Sequence, residues 1–117
     1  MPRLLRDPAV GAAGVAAITI SEMLQGTLRS VRADLRLHRA AFIDALASQV
    51  PVLPFGMEEA RRHAELWAHL HAHGAMIGLH DLLIAATALA GGHAVATLDT
   101  RDFSRVPGLR VLDAMAF

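Results

Sequence analysis

Apolar residues fall into two kinds of block along this chain. Ala16-Ala17-Ile18-Thr19-Ile20 and His93 to Leu98 are short apolar runs with β-branched members, which suit strands buried on both faces. Gln49 to Phe55 is a shorter strand closed by Pro51 and Pro54, and Leu109-Arg110-Val111-Leu112 is a last one after the turn Arg105-Val106-Pro107-Gly108. Between them the spacing becomes helical. Ser21 can cap a helix that carries Glu22 in its first turn. Val31 to Gln49 repeats Leu35, Phe42 and Leu46 on one side and arginines on the other. Met57 to His73 has Glu58 and Glu59 at its start and Gly74 just past its end, and Leu79 to Leu89 stops at Gly91-Gly92.

The order is strand, helices, strand, helix, helix, strand, strand. Strands joined through helical crossovers predict an α/β fold, three layers α/β/α around a mostly parallel sheet. Function in such sheets collects at the carboxyl ends of the strands. Glu22 follows one such end and Asp99 sits at another.

A chain of 117 residues provides one domain with one core. Its formal charge is zero, eleven arginines against eleven acids with no lysine, so any nucleic-acid surface must be a local patch. The absence of cysteine excludes disulfides and thiolate metal sites and fits a reducing cytoplasm. Ala9 to Ile20, preceded by Arg3 and Arg6, mimics a secretory signal. Asp7-Pro8 interrupts its basic part, no cleavage site follows, and the run is too short to span a bilayer, so no membrane association is expected.

The topology can bring Glu22, Asp81 and Asp99 to one sheet edge, with Asp102 near enough to join directly or through water. Clustered carboxylates suit a hard divalent cation, and phosphodiester hydrolysis gains from one. Each acid also has a plainer reading. Glu22 and Asp81 are first-turn residues favourable to a helix dipole, while Asp99 and Asp102 suit turns.

Asp81-Leu82-Leu83-Ile84-Ala85-Ala86-Thr87-Ala88, then Ala96 to Phe103 and Val106-Pro107-Gly108-Leu109, resemble the C-terminal half of VapC-type PIN-domain ribonucleases. Thr19 to Gly26 is similar to that family's second acidic motif. The resemblance implies catalytic and metal-site roles for Glu22, Asp81 and Asp99, with Asp102 as a further metal-site acid. It also implies Mg²⁺ or Mn²⁺ as cofactor, an RNA substrate cut as the toxin half of a toxin–antitoxin pair, a cognate antitoxin as partner, and a homodimer with Met57–His73 and Trp67 as a candidate surface. Arg101 is a candidate substrate contact, or an ion-pair partner of Asp99 and Asp102.

The departure is at the front. The family opens with a central strand ending in an aspartate that is the first metal ligand, and residues 1–15 offer no such strand. Met1 to Pro8 resembles instead a helical segment, and Asp7 suits a loop. The expectation is therefore a PIN-like domain over 1–117 that lacks the first central strand, either as part of a longer chain or mis-started reading frame, or as a decayed homologue that binds protein without cutting. Marginal stability and weak metal-dependent cleavage follow from that reading.

His69, His71 and His73 invite a zinc site, but no Glu-x-x-His pattern or third ligand accompanies them, and a solvated helix end is the simpler reading. Arg29, Arg32, Arg36 and Arg39 form a stripe on one predicted helix, either solvated or facing RNA or an acidic antitoxin segment.

Overall fold

A computed structural model of the chain describes residues 4–6, 13–97 and 100–113. Along it run strand β1 (Leu4–Arg6), β2 (Ala13–Ala16), helices α1 (Ala17–Arg29) and α2 (Ala33–Gln49), β3 (Val52–Leu53), α3 (Met57–Ala72), α4 (Leu79–Gly91), β4 (Ala94–Thr97), a 3₁₀ turn at Phe103–Arg105, and β5 (Val111–Asp113). The strands form one sheet in the order β3-β2-β1-β4-β5. The two outer pairs are parallel: β2 and β3 are joined through α1 and α2, and β4 and β5 through the connection that carries the 3₁₀ turn.

The central place, expected to be empty, is taken by β1. It runs antiparallel to both neighbours, with Leu5 opposite Gly14 on β2 and Val95 on β4. The stretch read as a helical segment thus contains a strand, and the inner edges of β2 and β4 have backbone partners. The sandwich architecture is the expected one.

The second correction moves a boundary. The strand expected at Ala16–Ile20 lies at Ala13–Ala16, and Ala17–Ile20 already belong to α1. A short apolar run cannot by periodicity alone be told from the start of a buried helix. Packing decides it: Val15 N–H donates to the Pro51 carbonyl at 2.9 Å, and a Cβ on Gly14 would come within 3.3 Å of that oxygen. Any side chain at this position would push β2 and the chain entering β3 apart by a few tenths of an ångström. Ser21 is therefore inside the helix, its hydroxyl accepting from Gln25 Nε2 at 3.2 Å, and is not the cap. Glu22 lies in the second turn, and the first turn of α1 holds no acid. Of the run that mimics a secretory signal, residues 13–20 are divided between β2 and α1, and among the described residues no helix is long and apolar enough to cross a membrane.

The stripe of arginines is also divided. Helix α1 ends at Arg29 and α2 begins after Arg32, so Arg29 sits in the last turn of one helix while Arg36 and Arg39 lie on the next. Arg32 pairs with Asp34 at 2.7 Å across exposed surface.

The core gathers around α4. Leu82, Ile84, Ala85, Ala86 and Ala88 are completely buried, so this helix is covered around most of its circumference. Leu66 and Leu70 of α3, Val95 of β4, and Phe103 and Val106 beyond the sheet pack into the same cluster. Gly92, at φ +70°, ends α4 in the left-handed conformation that glycine adopts without strain.

Candidate active site

Two helices deliver the acids. Glu22 rises from the second turn of α1, and Gly78, Leu79, His80 and Asp81 form the beginning of α4. Together these five residues line an open cleft of about 470 Å³. The register of α4 explains why Asp81 is at its mouth. Leu82, the next residue, is fully buried and donates the first helical bond to Gly78 O at 2.9 Å, so the side before it faces outward. Asp81 in this first turn also gains from the positive end of the helix, and a Cβ on Gly78 would lie 3.9 Å from its Oδ2. The helix-dipole explanation holds for Asp81. It fails for Glu22, which sits too far along α1 to profit.

Glu22 has a different environment on each oxygen. Oε2 lies 3.2 Å from His80 Nδ1, while Oε1 is buried without a hydrogen-bond partner among the described residues. A carboxylate oxygen removed from water and left unpaired is costly unless a proton, a water or a cation completes it. One turn earlier Thr19, on the same helix, has a buried Oγ1 that also lacks a partner. This is the structural observation that fits a hard cation: hard oxygen donors from Glu22 and Asp81, one of them buried and unsatisfied.

The remaining acids are placed differently. Asp102 stands just before the 3₁₀ turn, partly exposed, with Arg105 Nη1 at 4.0 Å, and is not among the residues lining the cleft. Arg101 is exposed in the same turn. Asp99 lies two positions beyond the end of β4, outside the described residues, as does Asp7. Among the described residues no three histidine or acidic side chains converge closely enough to hold a metal by themselves. The structure thus brings Glu22 and Asp81 together and leaves the third acid to the segment after β4.

The histidines at the end of α3 are occupied with each other. The His69 and His73 rings stack at 4.1 Å, His73 Nδ1 is 2.7 Å from the His69 carbonyl, and His71 stacks on the half-exposed Trp67 at 4.9 Å. The residue that sequence reasoning passed over is His80. Its signal was position alone: a polar ring beside Asp81, in the first turn of the same helix.

The same fold and sequence recur in known proteins. A family model described as PIN domain matches residues 2–109. The ribonuclease VapC1 of Rickettsia felis is 39% identical over 102 residues, covering 87% of this chain and 76% of its own. The DNA-bound VapBC complex of Salmonella typhimurium contains a chain that superposes with TM-score 0.78 at 28% identity, over 85% of this chain and 73% of that one. VapBC-5 of Mycobacterium tuberculosis, a member of the VapBC family of toxin–antitoxin systems, gives TM-score 0.75 at 28% identity, over 85% and 79%. A family match through residues 2–109, with a ribonuclease VapC1 39% identical over most of both chains, means that this chain belongs to the PIN-domain family, in its VapC branch.

Proposed function

We infer that this chain is an endoribonuclease, the toxin component of a type II toxin–antitoxin pair, acting through the cleft between α1 and the start of α4. The observation that carries the reading is the meeting of Glu22 and Asp81 there, with Glu22 Oε1 buried and unpaired. The relatives are named as ribonucleases and as VapBC toxin–antitoxin complexes, which supports the substrate class and a cognate antitoxin.

Glu22 and Asp81 would hold Mg²⁺ or Mn²⁺, with Asp99 completing the set from the strand end and Asp102 assisting from the following turn. When bound, such a cation neutralises charge developing on the phosphodiester and makes water a better nucleophile. The chain's own part is to present carboxylates that do not neutralise one another, to keep them at the rim of a rigid buried helix, and to offer one as a proton acceptor. Arg101, exposed and next to Asp102 in the chain, is the proposed phosphate contact. The antitoxin would inhibit by covering the cleft with a basic side chain. A homodimer through α3, where Met57 and Trp67 are exposed, and a cytoplasmic site of action complete the reading for a single PIN domain over 1–117.

Cleavage of a defined RNA in Mg²⁺, with and without EDTA, is the test. Wild type should cut only with metal, and Asp81→Asn and Glu22→Gln should each lower the rate at least about a hundredfold, the scale of losing an electrostatic catalytic group. No cleavage by wild type that binds an antitoxin normally would replace this reading with that of a protein-binding remnant, and metal-indifferent RNA cleavage would overturn the metal site.

A further inference from the structure

The imidazole at position 80 treats the two oxygens of Glu22 unequally, and that asymmetry has a chemical use. A carboxylate only accepts hydrogen bonds, so for His80 to hold Glu22 the Nδ1 nitrogen 3.2 Å from Oε2 must be the one that carries the ring proton. That nitrogen has no lone pair to give a cation. Oε2 is thereby held from one side, and Oε1 points into buried space with no protein donor among the described residues. His80 is the second residue of α4 and Glu22 stands on α1, so the contact also ties together the two helices that form the cleft. We propose that His80 is a positioning residue: it fixes Glu22 so that Oε1 is presented as a single oxygen donor to a divalent cation. The proposal rests on the metal-site reading of Glu22 given above.

Partners that hydrogen-bond to a ligating carboxylate fix its orientation, and their loss typically weakens metal affinity by about 10- to 100-fold. Mn²⁺ binding to the RNA-free chain, followed by electron paramagnetic resonance, reads this without any turnover. His80→Ala should weaken Mn²⁺ binding about tenfold with thermal stability little changed, because the side chain is half-exposed. His80→Asn, whose Nδ2–H donor stands the same number of bonds from Cα as Nδ1, should recover part of the loss. Glu22→Gln should lose more than either. Mn²⁺ affinity in His80→Ala equal to wild type overturns the proposal while leaving the metal site standing. A loss as deep as that of Glu22→Gln also overturns it, by making His80 a ligand. Wild type that takes up no Mn²⁺ removes the metal reading and this inference with it. A metal-free measurement stands beside these: long-range ¹H–¹⁵N correlations should show the Nδ1–H tautomer of His80 in wild type and its loss in Glu22→Ala, which removes the acceptor. The same tautomer in both overturns the proposal.

Discussion

Gly91 and His93 show how tightly single positions are specified here. Gly91 is the last residue of α4, and a Cβ on it would overlap the His93 ring at Nδ1 and Cε1, while that Nδ1 is buried with no partner. Alanine is worth up to about 1 kcal/mol over glycine inside a helix, but overpacking costs about 1–3 kcal/mol. Gly91→Ala should therefore lose stability by about 1 kcal/mol in urea unfolding, the overpacking outweighing the helix gain. In a His93→Ala background the same substitution should stabilise, and a cycle without that change of sign would show the ring has room to turn. The buried, unpaired Oε1 of Glu22 costs stability, which the proposed metal-site role would explain. Replacing its carboxylate by an amide relieves the charge near an unpaired buried oxygen, so metal-free Glu22→Gln should melt slightly above wild type, and added Mg²⁺ should raise the melting temperature of wild type only. At this scale the sequence displayed Glu22 and Asp81 through their motifs, whereas His80 and the unpaired oxygens are consequences of packing between α1 and α4 that no local pattern encodes.

Elements were legible where their pattern is long and ambiguous where it is short. Met57 to His73 was readable within a residue of α3 because its acidic start and following glycine bracket a sustained helical period. The β2–α1 junction was not, because Ala16 to Ile20 is apolar at every position and fits strand or helix equally. What settles it is non-local: the approach of Pro51 to Gly14, and the burial of Thr19 and Thr27 on one face of α1. The shift has an energetic signature. A serine acting as helix cap contributes about 1 kcal/mol, but inside α1 Ser21 only accepts an exposed bond from Gln25. Ser21→Ala should change unfolding free energy by less than about 0.5 kcal/mol, as surface substitutions usually do. A loss near that of a cap would place the start of α1 where the sequence first suggested.

For the whole molecule, the α/β/α layering followed from the order of strands and helices, but the presence of a central strand did not. Three residues, Leu4 to Arg6, are too short for periodicity to register, and their place is set by the open edges of β2 and β4. Those edges belong to different halves of the site. β2 leads directly into α1 and Glu22, whereas β4 follows α4 with Asp81 and leads toward Asp99. β1 is the only strand, among the described residues, that pairs with both. Proline at its middle residue removes an N–H in a central strand, where proline is not accommodated. Leu5→Pro should accordingly lower the melting temperature steeply and broaden the transition, as β3-β2 separates from β4-β5. Mn²⁺ affinity should fall with it, because Glu22 and Asp81 are then held together only through the packing of α1 on α4. A variant that melts as sharply as wild type and binds Mn²⁺ as well would show that this helix packing alone keeps the two acids at one cleft.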